Sequence, residues 1–402
     1  VRRNPSTGEL EGLRDFDLVL ERIAPAARKA ASIQRATTAS SVLAKGDWIK
    51  LGVEKSGVYR LDYSTLEDLG MGDASSLALY GNTAGVLEIA NDSTPDYRLE
   101  QIPIYLEKGP DGIFGKGDYM LFFGRDPDRW TYQEEAGRFE CQPHPYSGSS
   151  YYYLTFSASG AQRLEGLDPP QGAPQTEVTT FPDYRHHEQD NRNLIQSGQQ
   201  WFGEYFDVQT TRSFEFEFPH LVMDQPVRVS GRFVSRSAAS SNFFVYHGQD
   251  RLLDVNIDPV SYNFTGYYAR KGRGSGSFTP SQEKLELQVE YRKGTPSAVG
   301  WLDYLTVNAV RELRMTGEQM IFRHRGAEEN QVARLHLNNA NEQVDVWEVT
   351  DDNNIYKISN YTRVDDEMMF RILTQNRFRS FVAFRPQEAF TPEILGRVEN
   401  QD

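Results

Sequence analysis

Two stretches in the middle of the chain alternate strictly between apolar and polar residues. One runs SFEFEF over residues 213–218, and the other runs KLELQVEY over residues 284–291. Successive side chains of a strand point to opposite faces of a sheet, so this period buries one face and leaves the other in water. With further apolar runs at 227–234, 243–246 and 301–307, the pattern predicts an antiparallel β-sandwich over residues 186–312.

A second dense pattern lies near the start, in residues 47–81. It predicts a strand from Trp48 to Val53, a turn at Lys55–Gly57, a strand at Val58–Leu61, a helix at Thr65–Leu69 and a strand at Leu77–Tyr80. A side-chain oxygen of Asp62 or Ser64 can cap that helix. This β-β-α-β pattern predicts a fold but indicates no chemical function, because it contains no catalytic residue type at a position that a mechanism would require.

The whole chain is too long for one hydrophobic core. Its 402 residues exceed the size at which chains divide into domains, and 21 Tyr, 23 Phe, 32 Gly and 19 Pro favour strands and tight turns. We therefore predict a mostly β, multidomain antiparallel fold of sandwich or jelly-roll-like domains with few short helices. The expected segments are an N-terminal strand and linker (1–46), a first β-rich domain (47–182), a second sandwich (186–312) and a short-strand region (313–402).

Charge and composition exclude several classes of protein. The formal net charge of −14 opposes binding to nucleic acid, whose phosphates attract a basic face. No apolar run approaches the roughly 18 residues of a membrane-spanning helix. Cys141 is the single cysteine, so no internal disulfide forms. The chain starts at Val1-Arg2-Arg3, with neither an initiating Met nor a signal peptide, as expected of a mature or trimmed piece of a longer protein.

Two polar clusters contain residue types that act in catalysis or metal binding. Cys141 and His144 lie close in sequence, but a nucleophilic thiol also needs an environment that lowers its pKa. The run from His186 to Asp190 holds two histidines and two carboxylates in a polar helix or connector. Adjacent histidines point in different directions, unlike the i, i+4 pair of zinc sites. A loop cysteine and a solvated connector are the favoured interpretations.

Three further groups suit ligand binding. Asp111…Asp118 and Asp351-Asp352-Asn353-Asn354 offer oxygen ligands for calcium, although glycine- and Asn-rich turns use the same residues. The aromatic residues that would line a sugar-binding platform are Trp130, Tyr151-Tyr152-Tyr153, Trp201 and Tyr205, although such residues more often fill a core. A local basic cluster comprises Arg311, Arg314, Arg323, His324 and Arg325, and suits a partner, an acidic glycan or a solvated face.

Several motifs occur together in one order. Residues 48–63 read WIKLGVEKSGVYRLDY, and later stretches are LYGN (79–82), GDYMLFFG (117–124), YYYLT (151–155), SGQQWFGE (197–204), GWLDYL (300–305), VWEVT (346–350) and VENQD (398–402). This series resembles the N-terminal, non-catalytic region of the PorU-type sortases of the type IX secretion system in Bacteroidetes. That family is related to the gingipain (C25) cysteine peptidases.

The resemblance implies an exported protein on the extracellular face of the outer membrane. In the family, a caspase-like domain with a His/Cys dyad removes the C-terminal signal domain of secreted cargo and joins the cargo to anionic lipopolysaccharide. That domain would lie beyond Asp402, so no catalytic, cofactor or metal residue is assigned to this chain. The implied partners are a PorV-like outer-membrane β-barrel, other attachment-complex proteins, cargo and lipopolysaccharide.

Three functions follow from the sequence. The first is a β-rich scaffold and docking region of such a sortase, with no peptidase activity of its own. The second is a carbohydrate- or lipopolysaccharide-binding sandwich that uses Trp201 and neighbouring tyrosines. The third is a self-contained enzyme that uses Cys141 and His144.

Overall fold

The computed structural model describes residues 2–3, 10–11, 41–82, 98–196, 200–263 and 265–401. The chain divides into two compact units, Val1–Ser41 and Val42–Asp402. In the first unit, strand β1 (Arg2–Arg3) pairs antiparallel with β2 (Leu10–Glu11). Most of the N-terminal strand and linker predicted over residues 1–46 lies outside the described residues.

The second unit is built almost entirely of strands. The first group comprises β3 (Trp48–Val53), β4 (Gly57–Asp62), helix α1 (Tyr63–Asp68), β5 (Ala78–Gly81), β6 (Glu100–Ile102), β7 (Tyr105–Glu107), β8 (Tyr119–Gly124), β9 (Arg129–Gln133), β10 (Arg138–Gln142), β11 (Ser150–Thr155), β12 (Glu165–Gly166) and β13 (Thr176–Val178). The second comprises β14 (Thr180–Glu188), β15 (Tyr205–Phe206), β16 (Thr211–Glu217), β17 (Val227–Arg236), β18 (Ser241–His247), β19 (Asp250–Ile257), β20 (Arg270–Phe278), β21 (Lys284–Arg292) and β22 (Val299–Glu312). The last comprises β23 (Gln319–His324), β24 (Val332–Leu337), β25 (Asp345–Asp351), β26 (Asn354–Lys357), β27 (Tyr361–Val364), β28 (Glu367–Leu373), β29 (Arg379–Phe384) and β30 (Glu393–Val398).

The predicted fold class is confirmed: the structure is mostly β, with several antiparallel sheets stacked as sandwiches. Two short pairings are parallel, β12 with β26 and β13 with β24. Within the described ranges, none of the helices has the length and apolar character needed to cross a membrane.

The strand that opens the first sandwich does not pair with the strand that follows it. β3 lies between β11 and β30 in the sheet β30-β3-β11-β5-β6, whereas β4 pairs with β8 in the sheet β4-β8-β7. The turn at Lys55–Gly57 therefore carries the chain from one sheet to the other. The two sheets enclose one core, in which Leu51, Leu61 and Phe122 are almost fully buried. Helix α1 begins after Asp62, whose side chain makes no capping hydrogen bond.

The middle sandwich follows the alternating pattern residue by residue. Sheet β14-β22-β17-β20 faces sheet β16-β21-β18-β19, and the apolar positions of β16 and β21 are buried while most of the intervening ones are exposed. β20 lies close against β19 because its inward positions are glycines. A Cβ on Gly274 would come within 2.7 Å of Cγ2 of Val255. The run predicted as a helix or connector at 186–200 instead finishes β14 and continues as a connector in its described part.

A third pair of sheets, β12-β26-β25-β29-β23 and β13-β24-β28-β27, combines strands β23 to β29 with the earlier β12 and β13. Its own core includes Phe322, Phe370 and Phe381, but Trp347 and Phe384 belong to the core of the first sandwich. β30 also returns to that sandwich and pairs with β3. The division into segments 1–46, 47–182, 186–312 and 313–402 stays a prediction, and the hydrogen bonds join the second and fourth of them.

Candidate functional site

The larger of two cavities is a cleft of about 1380 Å³ beside the β9–β10 hairpin. Its walls come from the β8–β9 turn, the loop before β11, and the strands β14 and β23. The side chains that line it alternate in charge, with arginines at 125, 129, 185, 311, 323, 325 and 377 and acids at 54, 126, 128, 134, 183 and 352. We refer to it as the arginine cleft.

The hairpin is held on the cleft floor by stacked rings and one amide. The ring of Trp130 stacks on Tyr184 with centroids 3.7 Å apart. The buried side chain of Asn308 accepts a hydrogen bond from the backbone N–H of Phe139 at 2.7 Å and donates to its carbonyl at 3.0 Å. Burial raises the pKa of Tyr184 to about 12, so its hydroxyl stays protonated at neutral pH.

Four of the seven arginines that line the arginine cleft have an anionic partner. Arg125 contacts Asp352 at 2.6 Å, and the buried Arg311 contacts Asp183 at 2.8 Å. Arg323 instead donates to the hydroxyl of Tyr184 at 2.6 Å and stacks on that ring. Arg129 and Arg377 have no carboxylate within salt-bridge distance in the part of the chain that the structure describes. The arginine cleft is thus a polar surface that combines paired and unpaired charges.

The basic cluster expected at 311–325 is divided by the fold. Arg311 is buried in its ion pair, while Arg323 and Arg325 line the arginine cleft. Arg314 and His324 lie outside the cleft lining. Burial, together with the charge of Arg379, lowers the pKa of His324 below its usual value.

The surroundings of Cys141 favour the neutral thiol. Burial raises the pKa of Cys141 far above its usual range, and the carboxylates of Asp128 and Glu188 raise it further. His144 uses Nδ1 to accept the backbone N–H groups of Tyr146 and Ser147, at 3.3 and 3.0 Å. The thiolate needed for nucleophilic attack is therefore disfavoured at this position.

The run from His186 to Asp190 points its side chains in different directions. His186 bonds Thr306 and Glu188, both at 2.9 Å, whereas His187 bonds Glu204 at 2.7 Å. Strand β14 alternates its side chains between faces, so the two rings cannot bind one ion together. Among the described residues there is no group of three or more His, Cys, Asp or Glu side chains arranged to hold a metal.

The carboxylates proposed for calcium close turns. Asp118 accepts backbone N–H groups of Gly109 at 3.0 Å and Gly115 at 2.8 Å, and Asp111 accepts that of Ile113 at 3.0 Å. Asp351 likewise accepts from the backbone of Asn353 at 3.1 Å, and Asp352 pairs with Arg125. These bonds use the oxygens a cation would need, and calcium binding stays an untested prediction.

The expected aromatic platform is distributed over separate parts of the surface and core. Tyr152 is buried and Trp130 is covered by Tyr184, whereas Tyr151 is exposed beneath the ammonium of Lys50, 3.6 Å from its ring. Trp201 and Tyr205 remain exposed at 41% and 37%. Trp201 opens the WFGE stretch, and Tyr205 follows it and lines a second cavity.

That second cavity has a volume of about 410 Å³. It is lined by Gln189, Asn191, Arg192, Gly203, Glu204, Tyr205, Arg212 and Trp301. We call it the Glu204 cavity. The connector between β14 and β15 forms one wall and β22 contributes Trp301. The sequence analysis named Trp201 and Tyr205 as candidate binding residues but did not name Arg192, Glu204 and Arg212. The WFGE motif was the sequence signal that indicated this region.

Two polar atoms of the Glu204 cavity lining have no hydrogen-bond partner. They are Oε2 of Glu204 and Nε1 of Trp301, both buried. Leaving a buried polar atom unsatisfied costs about 1–3 kcal/mol, so such atoms call for an explanation. Oε1 of Glu204 is held by His187. Burial acts most strongly and raises the pKa of Glu204, but the hydrogen bond from His187, a backbone hydrogen bond and the charges of His187 and Arg212 together outweigh it, so the pKa falls and the carboxylate stays ionised.

Comparison with known proteins gives one informative match. No protein-family model matches the chain, and no curated protein matches it. Among solved structures, dimeric latent PorU from Porphyromonas gingivalis superposes with a TM-score of 0.74 at 20% sequence identity, over 90% of this chain and 34% of that one. The insecticidal delta-endotoxin Cry8Ea1 from Bacillus thuringiensis gives a TM-score of only 0.22, which carries no argument. The chain spans about a third of the length of the PorU structure, and over that span its fold is PorU-like.

Proposed function

We propose that this chain is the β-rich scaffold and docking region of a cell-surface sortase of the type IX secretion system. The observation that carries the proposal is the superposition on PorU over 90% of this chain but only 34% of that protein. The chain would thus correspond to one region of a larger protein. Its location would be the extracellular face of the outer membrane.

The motifs that suggest the family occupy structural positions. VWEVT forms the centre of β25, where Trp347 is fully buried, and GDYMLFFG forms β8, whose residues are all buried. WIKLGV and GVYRLD form β3 and β4, the strands that open the two sheets of the first sandwich. A scaffold is the function that such motifs serve, because they specify packing and leave the surface free to vary.

The sortase chemistry belongs, in this proposal, to the remainder of the longer protein. That remainder would remove the C-terminal signal domain from cargo and attach the cargo to anionic lipopolysaccharide. The raised pKa of Cys141 supports this division, because the single thiol of the chain is held in its unreactive form. The docking partners would be a PorV-like outer-membrane barrel and other proteins of the attachment complex.

A competition experiment tests the proposal. The 402-residue chain is added in excess to cells that carry the complete secretion system, and cargo cleavage and surface attachment are measured. We expect the chain to bind the surface, to lower both processes, and to cleave no cargo by itself. The Arg379→Met variant, which breaks a buried ion pair, should lose the competition. The Arg371→Met variant is the matched control, because Arg371 donates to the carbonyl of Gly172 at the surface and has no carboxylate partner among the described residues.

Two results would overturn the proposal. One is cleavage of cargo by the 402-residue chain alone, which would return attention to Cys141. The other is unchanged processing and attachment at an excess of correctly folded chain, because a docking region must compete for its own partner.

A further inference from the structure

We propose that the Glu204 cavity is a binding site for one saccharide unit of a glycan. The site is built by the connector between β14 and β15 together with Arg212 and Trp301. Its volume of about 410 Å³ falls in the range typical of small-molecule sites. The inference does not depend on the scaffold function, since it rests on the lining residues alone.

The mixture of donors and acceptors points to hydroxyl groups. The guanidinium groups of Arg192 and Arg212 and the indole N–H of Trp301 are hydrogen-bond donors, and the carboxylate of Glu204 is an acceptor. A simple anion would meet the carboxylate of Glu204, and a simple cation would meet two guanidinium groups. A hydroxyl both donates and accepts, so a polyol satisfies both kinds of group at once. It also matches the two lining atoms that lack partners, Oε2 of Glu204 and Nε1 of Trp301.

An aromatic surface beside these groups suits the apolar face of a sugar ring. The ring of Tyr205 lies 5.5 Å from that of Trp301, centroid to centroid, and is 37% exposed. The guanidinium of Arg192 lies 5.7 Å from the centre of the Tyr205 ring, so stacking and hydrogen-bonding groups are adjacent. Trp201, four residues before Tyr205, is also exposed.

The polar groups are held in place before any ligand arrives. Glu204 is fixed by its 2.7 Å bond to His187, and Arg212 by a 2.8 Å bond to the carbonyl oxygen of Tyr205. The lack of a side chain at Gly203 lets the two ends of the connector approach closely, since a Cβ there would lie 3.0 Å from the carbonyl oxygen of Gln189. Such preorganisation reduces the entropy lost on binding.

The test uses the indole N–H signals of the five tryptophans, observed by NMR in the 402-residue chain. The Trp301→Phe variant assigns the Trp301 signal. The chain is first applied to an array of neutral and amino-sugar glycans, and the strongest binder is then titrated. Inorganic phosphate and ethylammonium serve as a pure anion and a pure cation. We expect the glycan to move the Trp301 signal, and phosphate and ethylammonium to leave it in place.

Two variants and two controls assign the binding to the Glu204 cavity. Glu204→Gln and the exposed Arg192→Met should each weaken glycan binding at least tenfold. Glu215→Gln and Arg292→Met change surface residues of the same sandwich and should bind as the parent does. The proposal is wrong if no arrayed glycan binds, if Arg192→Met binds as tightly as the parent, or if phosphate moves the Trp301 signal at concentrations where the glycan does. None of these outcomes bears on competition for the secretion complex, so the two proposals fail separately.

Discussion

The ion pair between Glu348 and Arg379 offers the sharpest test of how this fold is held together. The side chains are only 9% and 7% exposed, and Nε and Nη2 of Arg379 donate to the two carboxylate oxygens of Glu348. Nη1 donates to the carbonyl of Leu373 at 2.6 Å, so the guanidinium ties β29 to β25 and to the end of β28. Replacing Arg379 by Met keeps much of its volume and removes all three bonds.

The expected cost follows from what the substitution leaves behind. Glu348 would remain buried as an uncompensated charge, with only the hydroxyl of Thr350 donating to it. Removing one partner of a buried pair costs about 3–5 kcal/mol. Replacing both partners by apolar residues, as in Glu348→Leu with Arg379→Met, should cost clearly less than Arg379→Met alone, because no charge is then buried.

Urea unfolding measured by circular dichroism and tryptophan fluorescence checks both statements, with the free energy of unfolding taken from the midpoint at constant slope. The surface pair Arg251–Asp254, with side chains 50% and 48% exposed, provides the control, and its removal should cost less than about 1 kcal/mol. A cost below about 1 kcal/mol for Arg379→Met would refute the reasoning. So would a double variant that loses as much stability as the two single variants together.

Two further predictions concern the other sheets. Gly274→Val should destabilise the middle sandwich by about 1–3 kcal/mol, measured by urea unfolding, because its side chain would collide with Val255. His336 lies between Glu177 and Glu367, and Arg334 also forms a salt bridge with Glu177. Burial acts to lower the pKa of His336, but its hydrogen bonds to the two carboxylates together raise that pKa above the usual value. Its stabilising effect should thus be complete below about pH 6.5 and fall as the pH rises through the folded-state pKa, so His336→Gln should lower the thermal midpoint more in acid than in weakly alkaline solution.

Each of these predictions has a clear contrary result. Gly148 has no atom near a built Cβ, so Gly148→Ala is the control for glycine replacement, and equal losses for both variants would contradict the steric explanation. For His336, the same loss of thermal midpoint at all pH values would mean that its charge contributes nothing.

Local sequence patterns predicted the positions of the strands better than they predicted which strands pair with one another. The alternation in 213–218 and 284–291 gave strands β16 and β21 with the buried face correct, because the period of two reports directly on which side chains avoid water. Pairing across the sheet leaves no such local mark. The strands on either side of Lys55–Gly57 therefore read as neighbours, although the fold sends them to different sheets.

The candidate sites show the same limit. The sequence places Cys141 near His144, but the carboxylates that suppress its thiolate come from positions 128 and 188. The Glu204 cavity needs Trp301, nearly a hundred residues beyond the WFGE motif. A site assembled from strands distant in sequence can be recognised only when the strand pairing is known. Turns such as Gly109–Asp118 could be predicted from the sequence because their hydrogen bonds are local.

The pairing of β3 with β30 sets the order in which this molecule can be completed. Trp48 lies opposite Val398, so a chain synthesised N-terminus first displays β3 hundreds of residues before its partner strand β30 exists. During that interval β3 is an unprotected sheet edge, the kind of surface on which unfinished chains associate with one another. The sheet that contains β3 is therefore completed only after the strands between β3 and β30 have been synthesised, and contacts so distant in sequence form slowly.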